Sequence, residues 1–527
     1  MTDLDRRSFL KRGGLFAGAA LASTTALGRL DAHAAWAKGG RGPMGGAGGR
    51  GRGPGRKGLG GYGELSRMTA VNEAAGPEYL ALPAGFSYVV LGKLGELMTD
   101  GTPTPRNLDG MGAFARPDGS VRLIRNHENR NAPGDPSMGV MVPEGDASRK
   151  YDPLAYGGTT TLDVDVASMR LVRDFVSSAG TTVNCAGGLM LGEAGWLTSE
   201  ETVAGPSTSF TGTTARLSKE HGYNFIVPVT AERATFPQPL RAMGRFAHEA
   251  VATDPRTGIV YETEDAGNES GFYRFIPTNP SDLAAGGRLQ MLGVVGIDRY
   301  DTRSGQVVGR ELPVRWIDIP DPDPDLEAGG RKVAGQGLDR GAAFFNRLEG
   351  IWWEGDHCFF NSTSGGNAMR GQVWEYRTAL GNQGRGNSNG RGRGPNPGGG
   401  GTLTLVYEST GFDPTIGRSP LDSPDNLTIT PRGGVLLCED DANAGPGSAG
   451  DTHPLAPGIA DVNRLIGLGD DGLPFEFAVN TLNSTEFAGA CFAPNAPEVL
   501  FVNIFGDGTP RSGATLAVTG PWGNGAL

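Results

Sequence analysis

The sequence predicts an all-β protein, a six-bladed β-propeller with long inserted loops, and three observations carry that expectation. The first is a recurring unit: a polar residue, a short strand, a turn and a second strand that usually ends in carboxylates or amides. It is read six times, in NLDGMGAFARPDGSVRLIRNHE, NCAGGLMLGEAGWLTSEE, AHEAVATDPRTGIVYETED, RLEGIWWEGDHCFFNSTS, PDNLTITPRGGVLLCEDD and EFAGACFAPNAPEVLFVN. The second is the prevalence of strand runs such as Phe86–Leu91, Thr159–Val164, Asn224–Val227 and Phe272–Phe275, with little helical periodicity after the N-terminus. The third is turn chemistry, Pro-Asp-Gly, Pro-Arg-Thr-Gly and Pro-Arg-Gly-Gly, between apolar runs. Propeller blades with long loops fill the spacing between units, and a pair of β-sandwich domains is the competing arrangement.

In chain order, residues 1–34 read as a twin-arginine signal peptide. Asp5-Arg6-Arg7-Ser8-Phe9-Leu10-Lys11 is followed by an apolar run from Leu15 to Leu27, then by Ala32-His33-Ala34, a small-x-small cleavage site. The alternative is an amphipathic helix that happens to begin with Arg-Arg. The expected mature chain starts near Ala35, having used the twin-arginine export machinery, and works in the periplasm or outside the cell. No other apolar run is long enough to span a bilayer, so no stable membrane insertion is expected once the signal is removed.

Residues 35–61 are rich in Gly, Arg and Pro and read as a disordered linker, followed by the propeller over 62–527. A second glycine-rich tract, 381–401, interrupts two strand runs, Gln372–Tyr376 and Leu403–Tyr407. It reads as a lengthened, disordered hairpin loop, because closure entropy grows slowly with loop length.

The chain has 527 residues, 87 of them glycine, and a formal net charge of −11 with only 38% apolar residues. That balance excludes general nucleic-acid binding, which needs a basic face. It suits an exported protein or one that concentrates cations. None of the four cysteines forms a CxxC pair; two disulfides are possible, with buried apolar roles favoured for Cys358, Cys438 and Cys491. No GxSxG lies between strand and helix signals, the one match (386–390) falling inside the glycine-rich tract; phosphate loops opening a helix are absent, as are HxH and HExxH patterns.

The chemistry-bearing candidates are Asp109, Glu128, Cys185, Glu200, Glu201, His248, Glu249, Glu264, Asp265, Arg347, Glu349, Asp425, Asn426, Glu439, Asp440 and Glu486. Each acid alone is most simply a solvated edge charge. Converging acids, however, stay ionised only beside cations, and a site rich in oxygen and poor in imidazole favours hard ions such as calcium. Cys185 adds a soft ligand, which among carboxylates suits iron. In His127-Glu128 and His248-Glu249 only one side chain can face inward, and the glutamate is the expected one. Arg347, two residues before Glu349, can pair structurally or bind an anion through its fork of donors.

At these residues the chain resembles the PhoX-type alkaline phosphatases, which are exported by the twin-arginine route. The similar segments are NCAGG with WLTSEE, GRFAHEAVATDPRTGIVYETED with SGFYRF, RLEGIW with STSGG and GQVWEY, SPDNLTITPRGGVLLCED, and EFAGACF with LFVN and the closing TGPW. The resemblance implies a six-bladed propeller and a cofactor of two oxygen-bridged ferric ions with calcium ions alongside. It implies that Cys185 binds iron and that Glu200, Glu249, Glu349 and Asp440 bind iron or calcium. Arg347 takes the place of the family's phosphate-binding arginine. Glu128, Glu201, Asn426, Glu439 and Glu486 match motif positions, as metal ligands not assigned to a particular ion. The chain departs from the family pattern in LMLGEAG before the paired glutamates, in Leu348 where proline is usual, and in the loop Phe505–Gly508. The expected activity is hydrolysis of small phosphate monoesters to inorganic phosphate. A calcium-dependent lactonase-like hydrolase and a non-enzymatic propeller clamped by calcium are the alternatives.

Overall fold

The computed structural model describes residues 61–208, 214–379, 400–440, 451–469 and 472–527. The signal peptide, nearly all of the linker and most of the 381–401 tract lie outside the described residues. The chain begins with strands β1 (Leu65–Met68), β2 (Leu80–Pro83) and β3 (Ser87–Lys93). A first meander follows, β4 (Leu108–Ala115), β5 (Val121–His127), β6 (Gly157–Asp165) and β7 (Arg170–Thr181). A second has β8 (Asn184–Leu189), β9 (Gly195–Glu200) and β10 (Asn224–Pro228). The third has β11 (His248–Thr253), β12 (Val260–Glu264), β13 (Phe272–Pro277), β14 (Gly287–Val294) and the extra strand β15 (Glu311–Asp318). After a short helix, α1 (Val333–Leu338), come β16 (Leu348–Glu354), β17 (His357–Ser362), β18 (Gln372–Arg377) and β19 (Thr402–Glu408). The fifth has β20 (Pro424–Ile429), β21 (Val435–Glu439), β22 (Arg464–Leu468) and β23 (Pro474–Asn480), and the last β24 (Phe487–Ala493), β25 (Ala496–Ile504) and β26 (Ala514–Thr519).

Every pairing between these strands is antiparallel, and the architecture is an all-β propeller. The strand readings made from the sequence hold, and β18 and β19, which flank the glycine-rich tract, pair with each other. Hydrogen bonding divides the strands into five sheets rather than one per unit, because β15 joins β19 edge to edge through Glu311, Leu312 and Pro313. Strand β3 completes the last meander by pairing with β26, from Ala514 opposite Lys93 to Thr519 opposite Ser87. The N-terminal and C-terminal parts of the fold are thus stitched into one sheet, which leaves fewer exposed edges.

Hydrophobic layers between consecutive meanders hold the ring. Phe114, Ile124, Trp196 and Val227 fill the gap between the first and second. Leu197, Val251, Tyr273 and Phe275 join the second to the third. Phe272 stacks on Phe360 at 4.4 Å between the third and fourth. Phe359, Val373, Leu427 and Leu437 fill the next layer, Leu436, Leu465, Phe487 and Leu500 the one after. Leu123, Leu162, Phe501 and Ala517 return from the last meander to the first. The innermost strands β4, β8, β11, β16, β20 and β24 touch their neighbours in that cyclic order. Aromatic and branched side chains fill these layers, so closing the ring buries apolar surface.

Each innermost strand carries a register irregularity near its start: between Leu108 and Met111, Asn184 and Gly187, His248 and Val251, Leu348 and Ile351, Pro424 and Leu427, Ala488 and Cys491. Bulges of this kind re-aim side chains. Backbones approach closely here. Gly489 has φ of 62°, and a Cβ on it would stand 2.5 Å from the carbonyl oxygen of Asp109. Gly489→Ala should therefore destabilise the fold by about 1–3 kcal/mol in equilibrium denaturation; an unchanged midpoint would show that this approach is not tight.

Candidate metal centre

The bulges set the direction of every candidate ligand. In five meanders the residue opening the inner strand pairs with the residue closing the second strand: Leu108 with His127, Asn184 with Glu200, His248 with Glu264, Leu348 with Ser362, Pro424 with Glu439; in the sixth the equivalent pair, Ala488 with Asn503, lies one residue inside the strand ends. Paired residues share a face, and their next neighbours in sequence face the other way. Those neighbours are Asp109 and Glu128, Cys185 and Glu201, Glu249 and Asp265, Glu349 and Thr363, and Asp425 and Asp440. In the last meander the matching inner position is Gly489, and the acid comes instead from Glu486, just before β24.

Their ligand atoms come together in four overlapping groups. Asp109, Glu128 and Cys185 form one, Cys185, Glu201 and Glu249 the next, then Glu249, Glu349 and Asp425, then Asp425, Asp440 and Glu486. Within each group the donor atoms lie within 4.8 Å of one another. Shared members link all nine residues into a continuous chain across every meander. Of the sequence candidates this includes Glu128, Cys185, Glu201, Glu249, Glu349, Asp440 and Glu486, together with Asp109 and Asp425, which also belong to it.

Three of the expected ligands, Glu200, Glu439 and Asn426, are directed elsewhere. Glu200 accepts hydrogen bonds from the Thr182 and Gly222 amides at 3.0 and 2.8 Å and from His221 Nδ1 at 2.6 Å. Glu439 is gripped by Arg464, Nε and Nη2 each at 2.7 Å, and accepts the Asp422 amide. Both stand one residue before the inward acid, on the opposite face of the strand. Glu264 behaves likewise, accepting Tyr273 Oη at 2.6 Å. Asn426 is a brace: its Nδ2 donates to Asp425 at 2.9 Å and its Oδ1 accepts the Gly489 amide at 2.8 Å. His127 and His248 lie behind the glutamates that follow them, bonded to backbone oxygens of Arg106 and Gly244. The four cysteines are buried and free, with no disulfide.

The donor set fits cations. Glu249 is buried, and neither of its carboxylate oxygens has a hydrogen-bond partner. Burial, then Glu349, Asp425, Glu201 and Asp109, push its pKa well above the usual carboxylate range. Burial and the acids Glu128, Glu201 and Glu249 likewise push up Cys185, whose thiol donates to Glu201 at 2.8 Å. Bound cations would reverse both shifts and supply the missing partners. Two arginines already stand at this centre. Arg347, at φ 53°, holds Asp265 with both Nε (3.1 Å) and Nη2 (2.9 Å) and reaches Glu349 at 2.9 Å. Arg130, absent from the sequence candidates, bonds Glu128 at 2.8 Å and also contacts Glu201. Its short separation from Glu128, on the loop after a strand already marked by an acid, was the available signal.

Residues 61–508 match the family described as alkaline phosphatase PhoX. The chain belongs to that family. Its reaction class is accordingly that of a phosphatase. It is similar to the structure of Pseudomonas fluorescens PhoX in complex with vanadate, a transition state analogue, at 18% identity and a TM-score of 0.59, covering 89% of this chain and 99% of that one. That likeness shows a shared fold. A gluconolactonase from Xanthomonas campestris aligns at 9% identity and a TM-score of 0.39, over 90% of this chain and 99% of that one, too distant to inform function. No curated protein matches the phosphatase.

Behind the centre, His221 lies buried between Glu200 at 2.6 Å and Asp152 at 3.4 Å. Burial opposes its charge, but the two carboxylates outweigh burial and raise its pKa to about 9. A raised histidine pKa gives stability that is complete below the unfolded value near 6.5 and is lost as pH rises through 9. The melting temperature should fall between those limits, and His221→Gln should remove that dependence while lowering stability at pH 6. An equal pH slope in both proteins would contradict the assignment.

Proposed function

We propose that this phosphatase is an exported, metal-dependent alkaline phosphatase that hydrolyses phosphate monoesters to inorganic phosphate, with iron and calcium at the centre of a six-bladed ring. The observation that carries this reading is Glu249, a buried carboxylate with no hydrogen-bond partner in a chain of nine converging donors. Cys185 is the softest of these and suits ferric iron, shared with Glu201, Glu249 or Glu128. The all-oxygen end, Glu349, Asp425, Asp440 and Glu486, suits calcium. Bound there, the ions would supply Lewis-acid stabilisation of the charge on the transferring phosphoryl group.

The residues of the chain do the positioning. Arg347 offers a guanidinium that holds phosphoryl oxygens bidentately, and Asp265 fixes its plane from behind. The backbone at Arg347 is in the left-handed region, with its amide donating to Ala266 and its carbonyl accepting from Thr363, so the side chain leaves a fixed point. The bulges keep the acids at fixed separations, which favours electrostatic stabilisation without reorganisation. Among the described residues no helix is long and apolar enough to cross a membrane. The leader at 1–34 supports passage through the twin-arginine machinery, and release into the periplasm or beyond.

The test is metal analysis of protein exported by its native route, with p-nitrophenyl phosphate turnover before and after chelation. The expected result is iron together with calcium and activity lost on chelation; calcium without iron and no phosphate release from folded protein would overturn the reading. Arg347→Ala should lower kcat/KM on the order of a hundredfold or more with metal content and melting temperature retained. Loss of stability with turnover intact would make Arg347 structural.

A further inference from the structure

Arg130 pairs with two of the converging acids but has no part in the phosphate contacts given to Arg347. It follows Glu128 by two residues, just beyond β5, and its loop is pinned by the carbonyl of Asn129, which accepts the Val183 amide at 3.1 Å. Its guanidinium spans two of the candidate metal groups, since Glu128 belongs to one and Glu201 to the next. Arg347 does the same further round the ring, spanning Asp265 and Glu349. The acids between the arginines are close neighbours: Glu201 shares a group with Glu249, and Glu249 shares the next with Glu349, which Arg347 reaches. Arg130, Glu201, Glu249, Glu349 and Arg347 therefore run as one line of close neighbours, a cation at each end and carboxylates between. Both cations reach solvent, with side-chain exposures of 39% and 17%, whereas Glu128 and Glu201 are at 2% and 7%.

From this placement we infer that Arg130 is a second anion-binding guanidinium, which takes phosphoryl oxygens from the end of the line away from Arg347. The inference rests on the phosphatase reading above. Cations seated among the nine donors would take Glu128 and Glu201 as ligands, and a guanidinium keeps its charge at any working pH. A phosphate ester held between the two arginines would meet that charge with anionic oxygens. A tetrahedral phosphate has oxygens enough for a fork on each side, and bidentate guanidinium contacts are the strong ones.

The experiment is calorimetric binding of inorganic phosphate to the metal-loaded enzyme, with metal content and melting temperature measured on each sample. Arg130→Met should weaken phosphate binding on the order of tenfold or more with metal content unchanged. Arg130→Lys, which keeps the charge without the fork, should fall between parent and Arg130→Met. Affinity within twofold of the parent, or a loss that tracks lost metal, would overturn the inference and leave Arg130 as a counter-ion of its acids. If Arg347→Ala weakens binding and Arg130→Met does not, this inference alone fails. If the metal-loaded parent binds no phosphate, the phosphatase reading of the site fails with it.

Discussion

Mutual repulsion among buried carboxylates is the constraint on which this structure depends. Asp109, Glu128, Glu201, Glu249, Glu349, Asp425, Asp440 and Glu486, with the thiol of Cys185, share one continuous region. In a water-poor centre such groups take up protons or acquire cations. Arginine meets part of the demand at two places, through Arg130 and Arg347. It does not reach Glu249, whose carboxylate oxygens have no hydrogen-bond partner. The ring supplies rigidity for this arrangement: the hydrophobic layers between meanders fix the inner strands, and the inner strands fix the acids.

The irregular register near the start of each inner strand converts a repeated sequence into converging side chains. Asp109, Cys185, Glu249, Glu349 and Asp425 occupy equivalent places in five meanders. The sixth has Gly489, where the carbonyl of Asp109 leaves no room for a Cβ, and the acid arrives from Glu486 in the preceding segment. The departure from symmetry has a steric cause. The residues one step back along each second strand brace the outside: Glu200 on His221, Glu264 on Tyr273, Glu439 on Arg464, Asn503 on the Asp109 carbonyl.

Much of this was legible in the sequence. Alternating apolar runs and turn residues marked the strands, and the repeated unit located the inner strands and the acid-bearing ends of their partners. What the sequence could not resolve was which acid of a pair faces inward. In Glu200-Glu201 and Glu439-Asp440 both residues are equally plausible ligands until the register opposite Asn184 and Pro424 is known. A shift of one residue exchanges the faces. Arg130 was hidden for a related reason: it lies in a loop, and its contact with Glu201 joins residues from different meanders. The pairing of β15 with β19 was likewise invisible, because edge contacts between units leave no periodic trace.

The most direct measurement is the unfolding midpoint of Glu249→Gln beside the parent, each with and without iron and calcium. Without metal the amide removes a carboxylate that is crowded and unpartnered, so the variant should be the more stable protein. With metal it removes a ligand, so the variant should be the less stable. That reversal of sign is the expected result. A variant destabilised equally in both conditions, or a parent indifferent to metal, would contradict the claim that cations hold this centre together.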